Sequence, residues 1–406
     1  MTEADVAALR TALTGQLLNG GLIRSGEVAE AFRTVPRHLF LPEVDPAKAY
    51  VDEAIPVKWS ADGRPLSSSS QPAIMAIMLE QLRLEPGQRV LEIGTGTGYN
   101  AALLAHIVGG TGSVTTVDID EELALAARQR LHDAGYRSIV VASGDGAAGW
   151  PGRAPYDRIV ATASVRDLAP AWTGQLGDGG RLLVPLSLRG VQQAVAFEQA
   201  GDHLASASVV PCGFMPLAGE LAGQDPVRPF GDVTGVFLRV EGDRELDLAA
   251  LHAALGQPGQ ALPTGIAITR SYLFSGLGLW LALHEPGIGE LAAVGAAAGR
   301  NLIPAASTHI PGMESTTVLV GEAGLAAVAR PPGTEQETRF EAWVRGYGPD
   351  GDRLAERLAT LIRDWDLAGQ PASSALRIRA YPVGATDGEH AAFTIAMPHT
   401  RFLLDW

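Results

Sequence analysis

The sequence predicts an α/β protein: a doubly wound parallel sheet in the first half, with a smaller α+β unit appended behind it. Three observations predict it. Apolar, strand-length runs at 90–93, 113–117, 139–142, 156–162 and 181–185 alternate with helical periodicity at 73–82, 101–107, 122–134 and 168–176. A glycine-rich turn, Gly94-Thr95-Gly96-Thr97-Gly98, joins the first of these strands to its helix. Beyond residue 220 the alternation stops, and strand and helix patterns follow in a different order.

At the N-terminus, Val6, Leu9, Leu13, Leu17 and Leu18 recur at helical spacing over 3–20, and Gly20-Gly21 stop the pattern. A second helix is expected over 25–32 with Ser25 as its cap. Prolines punctuate the apolar clusters at 35–42 and 49–57, which therefore read as extended, loop-like segments packed over something. His38, within the first of them, reads as a hydrogen-bonded loop histidine in preference to a catalytic one. The run Ser67-Ser68-Ser69-Ser70 leads through Gln71-Pro72 into the helix at 73–82. Helix starts expose N–H groups that favour polar ligands; a solvated linker fits the composition equally well.

The turn at 94–98 follows a buried strand and opens a helix, where glycine lets the backbone approach a ligand closely. Its G-x-G-x-G spacing, with Glu92 two places before Gly94, admits an S-adenosylmethionine site, a nicotinamide or flavin site, or a purely structural tight turn. Two acids separate these readings. Asp118 ends the second strand about 20 positions after the turn, the place for a carboxylate that accepts from ribose hydroxyls. Asp145, flanked by Gly144 and Gly146 after the third strand, is placed to reach an adenine amino group. Asp120 and Glu121 instead suit the N-terminus of the next helix. Ligands of doubly wound sheets bind at the carboxyl ends of the strands, where the turn, Asp118 and Asp145 all fall, and S-adenosylmethionine is the expected cofactor.

Of 406 residues, 46% are hydrophobic and 19% charged, as in ordinary globular proteins. The net charge of −14 argues against a nucleic-acid partner. Cys212 is the one cysteine, so neither an intrachain disulfide nor a thiolate metal site is expected, and a reducing cytoplasm is the natural compartment. The acidic start Thr2-Glu3-Ala4-Asp5 does not read as a signal peptide, and no apolar run approaches the roughly 18 residues of a membrane span. Lys48 and Lys58 are the only lysines, against many arginines, a composition of high-GC bacterial genomes.

Six stretches, taken together, resemble the protein-L-isoaspartate O-methyltransferases: 35–42 (VPRHLFLP), 49–57 (AYVDEAIPV), 68–72 (SSSQP), 90–100, 144–150 (GDGAAGW) and 154–163 (APYDRIVATA). They lie in the family's order within the first 215 residues. The resemblance implies a Rossmann-like class I S-adenosyl-L-methionine methyltransferase sheet. It further implies S-adenosyl-L-homocysteine as product, no metal, and a peptide or protein carboxylate as acceptor. The cofactor-binding positions it implies are Ser70, Glu92, Gly94, Thr95, Gly96, Gly98, Asp118, Ile119, Asp145 and Gly146. Ser70 takes the place of the family's serine beside both methyl donor and acceptor, and is the catalytic candidate. It is expected to orient the acceptor and not to act as a nucleophile, because a carboxylate with a pKa near 4 is already ionised at neutral pH. Ser68 and Ser69, which replace the family's threonine and isoleucine, would flank the acceptor together with Val57. Ala218 follows Met215-Pro216-Leu217 where some members carry threonine.

The expected organisation is a catalytic domain over 1–220, with 1–72 as cap and acceptor loop, and an α+β domain over 221–406 for substrate recognition or oligomerisation. In the latter, 224–229 reads as a linker, 246–255 and 352–367 as helices, and 338–346 and 375–381 as strands; Tyr272, Phe274 and Trp280 read as core. Extended family members of this general length occur in clusters for ribosomally made peptides (lanthipeptides, lasso peptides, graspetides). There they esterify an aspartate so that the backbone amide closes an aspartimide. That resemblance makes an Asp side chain of a modified precursor peptide the first expected acceptor, with general isoaspartyl repair as the alternative. A non-catalytic peptide-binding scaffold is the reading from another class, and the intact Gly94, Gly96, Gly98, Asp118 and Asp145 argue against it.

Overall fold

The computed structural model describes residues 2–60, 65–223, 227–241, 245–307, 312–334, 337–385 and 390–406. Residues 224–226 of the expected linker and the side chain of Phe274 lie outside the described set. Two compact units result: Met1–Leu186, Gln193–Gly223 and Arg377–Asp405 form the first; Ser187–Gln192, Gln224–Leu376 and Trp406 the second.

The first unit opens with α1 (Glu3–Asn19) and α2 (Gly26–Thr34). Thr2 and Ser25 cap them, their hydroxyls accepting the N–H groups of Asp5 at 3.2 Å and Val28 at 3.3 Å. After α3 (Pro46–Ala49) come the antiparallel strands β1 (Ile55–Trp59) and β2 (Pro65–Ser69), then α4 (Pro72–Leu82). The segments expected to be loop-like are thus partly regular: Arg37–Phe40 is a 3₁₀ turn and Ile55–Trp59 a strand, and Ser67–Ser69 of the serine run lie in its partner strand. Pro56 and Pro65 mask the strand signal, yet a two-stranded ribbon has free edges that tolerate proline.

The alternation then proceeds as β3 (Arg89–Ile93), α5 (Tyr99–Val108), β4 (Ser113–Asp118), α6 (Glu121–Asp133), β5 (Val140–Ser143), β6 (Tyr156–Ala161), α7 (Pro170–Gln175) and β7 (Leu176–Leu188). The hairpin β8 (Val191–Ala200) and β9 (His203–Pro211) follows. Strand β3 pairs in parallel with both β4 and β6. The chain therefore winds outward from β3 on one side, crosses back, and winds outward on the other, which leaves a crevice at the carboxyl end of β3. Val90, Leu91 and Ile93 of that strand are buried, as a parallel strand covered on both faces requires.

The second unit contains β10 (Val227–Pro229), β11 (Val236–Val240), α8 (Leu248–Ala254), β12 (Pro258–Thr269), α9 (Tyr272–Ser275) and α10 (Leu277–His284). It continues through β13 (Ile288–Val294), β14 (Met313–Val320), β15 (Leu325–Ala329), β16 (Arg339–Tyr347) and α11 (Gly351–Leu367). Among the described residues its seven strands run in the order β10-β11-β13-β14-β15-β16-β12, and every described pairing in that sheet is antiparallel. Leu354, Leu358, Ile362 and Trp365 of α11 join Ile268, Val328, Phe340 and Val344 in one core; Leu251 of α8 joins Leu238, Leu291 and Val318 in another. Tyr272 and Trp280 pack half-buried against the first of these.

The last strands return to the first unit. β17 (Arg377–Pro382) pairs antiparallel with β9 and with β19 (Thr400–Asp405), and β18 (Phe393–Ala396) closes the edge. The first sheet so reads β5-β4-β3-β6-β7-β8-β9-β17-β19-β18, ten strands among the described residues. The strand expected at 375–381 exists, but its sheet is the first and not the one expected over 221–406. Among the described residues no helix is long and apolar enough to cross a membrane.

Candidate active site

All three glycines of the turn adopt left-handed backbone, with φ of 98° at Gly94, 52° at Gly96 and 89° at Gly98. Their surroundings differ. A Cβ on Gly94 would meet Thr162 Oγ1 at 2.5 Å, and that hydroxyl donates to the Gly94 carbonyl at 2.7 Å. A Cβ on Gly98 would press on Leu131 at 3.2 Å, where the start of α5 meets α6. A Cβ on Gly96 would stand 3.6 Å from the carbonyl oxygen of Ser68 and 3.7 Å from Ser67 Oγ. Strand β2 therefore lies directly over the turn.

Glu92 lies beneath it, fully buried. Asn100 Nδ2 donates to its Oε1 at 2.8 Å and Thr116 Oγ1 to its Oε2 at 2.6 Å, while Thr95 Oγ1 and Thr116 Oγ1 are 2.8 Å apart. Burial pushes the Glu92 carboxyl up to about 7, against the two hydrogen bonds that favour its charge. The structure thus places the Glu92 and Thr95 side chains in a network that fixes the turn from below, tying α5 to β4.

At the end of β4 the buried Asp118 carboxylate accepts the Gly96 N–H at 2.9 Å through Oδ2 and the Asp120 N–H at 3.0 Å through Oδ1. Its neighbour Ile119 is 46% exposed, an apolar surface at the sheet edge. Asp120 caps α6, as expected, accepting from Glu122 and Leu123 N–H at 3.1 Å each. After β5, Asp145 accepts the Ala147 N–H at 2.9 Å and the Glu220 N–H at 2.7 Å. Gly146 is obligatory: a Cβ there would overlap Ile93 Cγ2. Its carbonyl accepts from Trp172 Nε1 at 2.8 Å.

The serine strand is held by a residue that the sequence reading did not single out. Arg37 is fully buried. Its Nη1 donates to the carbonyls of Ala49 at 3.0 Å and Val51 at 3.1 Å; its Nη2 donates to those of Glu53 at 3.2 Å and Ser70 at 3.0 Å, and to Ser69 Oγ at 3.4 Å. Burial lowers the pKa of this guanidinium from its ordinary value, but arginine keeps its proton in proteins. The Ser70 hydroxyl has no hydrogen-bond partner among the described residues, so the site fixes its backbone and leaves its donor free. Asp52 completes the loop: it accepts the Ala73 N–H at 2.8 Å at the start of α4, and Gln71 Nε2 at 3.2 Å. Val57 lies half-buried in β1, the strand paired with β2.

Comparison with known proteins bears on this arrangement directly. The family model described as protein-L-isoaspartate(D-aspartate) O-methyltransferase matches residues 8–222. The chain belongs to this family. A Methanopyrus kandleri protein-L-isoaspartate O-methyltransferase is 41% identical over 219 residues, which are 53% of this chain and 94% of that protein. A namesake from Staphylothermus marinus is 40% identical over 212 residues, 50% of this chain and 92% of that one. A solved structure titled protein-L-isoaspartate O-methyltransferase covers 91% of this chain and 96% of its own at 24% identity, with a TM-score of 0.51, a likeness of fold.

The enzyme is an S-adenosyl-L-methionine-dependent carboxyl O-methyltransferase, and its residues fit that cofactor. An ionised carboxylate offers about four acceptor sites, so Asp118 and Asp145, each receiving two backbone N–H groups, keep capacity for hydroxyl or amino donors. Asp118, Ile119, Asp145 and Gly146 share the edge that Gly94, Gly96 and Gly98 open. No cluster of three or more His, Cys, Asp or Glu side chains among the described residues is placed to hold a metal ion.

His38 is hydrogen-bonded within its own loop region. Its Nδ1 lies 2.9 Å from the Tyr50 hydroxyl, and burial lowers its pKa. The residues missed in the sequence, Arg37 and Asp52, sit inside the motifs 35–42 and 49–57 that carried the resemblance. The signal that could have found them is a charged side chain enclosed by prolines and apolar residues, which must find buried partners.

Proposed function

We propose that this methyltransferase esterifies the side of an isoaspartyl residue that presents a free carboxylate, in a protein or peptide. The observation that carries the reading is the closeness of β2 to the glycine turn, with the Ser68 carbonyl within van der Waals reach of Gly96 and Ser70 held through its backbone by Arg37. S-adenosyl-L-methionine, when bound, supplies an electrophilic methyl group on a sulfonium. The residues that would hold it are the turn, Asp118 for the ribose hydroxyls, and Ile119, Asp145 and Gly146 for the adenine.

The rest falls to the acceptor side. A carboxylate is ionised at neutral pH and needs no general base; His38, in the motif at 35–42, is engaged by Tyr50. Ser70 Oγ donates a hydrogen bond to the carboxylate oxygen that is not alkylated, which fixes the approach of the other. The second unit contributes acceptor recognition or an oligomer interface. The test is transfer of isotopically labelled methyl to an isoaspartyl hexapeptide and to its normal aspartyl counterpart. Transfer to the first alone is expected; equal inertness of both would overturn the reading.

A second acceptor is favoured by one observation, the Ser68-Ser69 pair where the family carries threonine and isoleucine. On that reading the carboxylate is an Asp side chain of a ribosomally synthesised modified peptide. The backbone amide nitrogen then attacks the methyl ester, methanol leaves, and an aspartimide closes. The appended unit does not decide between the two, since a solved structure titled protein-L-isoaspartate O-methyltransferase shares the fold over 91% of this chain.

A further inference from the structure

Two backbone donors hold the Asp118 carboxylate: the Gly96 N–H reaches its Oδ2 at 2.9 Å and the Asp120 N–H its Oδ1 at 3.0 Å. The β1–β2 ribbon bears on both of these donor residues. Ser67 and Ser68 of β2 lie over Gly96, within 3.7 Å of where its Cβ would stand, and Lys58 of β1 binds the Asp120 side chain. The ribbon therefore spans the edge on which Asp118 stands, from one of its donors to the other.

The attachment at Asp120 is the stronger of two that Lys58 makes. Its Nζ lies 2.5 Å from Asp120 Oδ2 and 2.8 Å from Glu122 Oε2. The Glu122 side chain is 87% exposed, so water and salt screen that contact, whereas Asp120 is 27% exposed. The two Asp120 oxygens have separate tasks. Oδ1 caps α6 through the Glu122 and Leu123 N–H groups, and Oδ2 takes the ammonium. Lys58 pairs with Ser67 across the ribbon, and the register shifts on both sides of it, between Pro56 and Lys58 and between Lys58 and Trp59. Shifts of this kind re-aim a side chain out of the regular pleat. At its other end β2 runs into Ser70, whose carbonyl is held by Arg37. The acceptor strand thus has two tethers, a buried one at Ser70 and a partly exposed one opposite Ser67.

We propose that Lys58 is a positioning residue for the cofactor: its ion pair with Asp120 holds the ribbon down over Gly96 and Asp118 in the free protein, so that binding S-adenosyl-L-methionine does not have to order the ribbon. A surface ordered in advance binds more tightly by the free energy that ordering would have cost. Ser70 is fixed by the other tether, so Lys58 acts on cofactor affinity and not on the methyl-transfer step. The inference rests on Asp118 as the ribose acceptor, and the experiment reads the two separately.

S-adenosyl-L-homocysteine is titrated by calorimetry into full-length wild type, Lys58→Met, Lys58→Arg, Asp120→Asn and the Lys58→Met/Asp120→Asn double variant, with Asp118→Ala alongside. Asparagine caps helices about as well as aspartate, so Asp120→Asn removes the charge and keeps the cap. Lys58→Met and Asp120→Asn are each expected to weaken binding about fivefold, the upper range for a partly exposed pair. The double variant should lose no more than either, and Lys58→Arg should stay near wild type. In Lys58→Met the Michaelis constant for S-adenosyl-L-methionine should rise by the same factor with kcat at saturation retained, and in the cofactor-free protein hydrogen exchange should quicken at the amides of β2. Wild-type affinity in Lys58→Met beside a weakened Asp118→Ala overturns the proposal. Losses that multiply in the double variant overturn it as well, since the two residues then act independently. A fall in kcat with affinity intact assigns Lys58 to the acceptor side and overturns it too. Wild-type affinity in Asp118→Ala rejects the ribose assignment, and the inference with it, whatever Lys58→Met does.

Discussion

Arg37 Nη2 lies 3.0 Å from the carbonyl oxygen of Ser70, across 33 positions of sequence. The same guanidinium reaches carbonyls at Ala49, Val51 and Glu53. Five hydrogen bonds from one buried cation make the acceptor loop a single object, because no water is at hand to replace a missing donor.

Arg37→Met is expected to destabilise the protein by about 3 kcal/mol or more, since several buried carbonyls lose their donor together and each unsatisfied group costs about 1–3 kcal/mol. Arg37→Lys keeps the charge but not the fork, and its loss should be intermediate. Chemical denaturation of the three proteins checks the order. Equal stability of wild type and Arg37→Met would show that the loop is held by other means.

Glu92 gives stability a pH dependence with a definite sign. Its carboxyl titrates at about 7 when folded against an ordinary 4.5, so between those values the folded state binds more protons than the unfolded one. The stability it contributes is present below about pH 4.5 and is lost as pH rises through 7, a difference of about 3 kcal/mol at 1.36 kcal/mol per pH unit. Glu92→Gln can still accept from Asn100 and donate to Thr116, and it should flatten the decline between pH 5 and 7. Unfolding free energies at pH 5, 6, 7 and 8 test this; parallel slopes in both proteins would remove Glu92 as the cause.

Asp118→Ala should weaken S-adenosyl-L-methionine binding by roughly 1–3 kcal/mol, the range for a buried polar group losing its charged partner. The mutation also strips an acceptor from the Gly96 and Asp120 N–H groups, so Asp118→Asn, which keeps one side-chain oxygen, should lose less. Titration calorimetry measures both. Unchanged affinity in the alanine variant would place the ribose elsewhere.

What was legible in the sequence was local. The turn at 94–98, Asp118 and Asp145 follow from glycine's backbone freedom and from the position of an acid at a strand end, each readable within a few residues. The β1–β2 ribbon was not, because Pro56, Pro65 and the serines have weak strand propensity, and its anchors are distant in sequence: Gly96 against Ser67 and Ser68, and Lys58 paired with Asp120 and Glu122 at the start of α6. Arg37 was quoted as part of a motif, yet its role depends on carbonyls 12 to 33 positions away. Glu92 and Thr95 read as facing a ligand because the motif is one-dimensional; the fold turns them inward to Asn100 and Thr116. Strand β17 was found as a strand and given the wrong sheet, since its partner β9 lies across the whole second unit in sequence.

Ser70→Ala is expected to lower turnover by about ten- to a hundredfold, the scale on which misplacement of a reacting group is felt. Affinity for S-adenosyl-L-methionine should be unchanged, because Arg37 holds the backbone carbonyl and not the hydroxyl. Steady-state kinetics with saturating acceptor, paired with calorimetry, separates the two. Loss of cofactor affinity would assign the hydroxyl to the donor side.

The return of the chain to the first sheet makes a last prediction. β17 covers the edge of β9, and the His399 N–H donates at 2.7 Å to the buried Asp167, whose other oxygen accepts from Leu168. Ile378, Tyr381, Phe402, Leu403 and Leu404 of the returning strands are buried, and each such side chain contributes about 1.5–3 kcal/mol on burial. A chain ended at residue 376 loses all of these and leaves an open strand edge, which invites pairing between molecules. It should unfold at lower temperature and associate, as read by calorimetry and size-exclusion chromatography, even though the family match ends at residue 222. A monomeric, equally stable truncation would mean that the first seven strands of the sheet suffice without β17–β19.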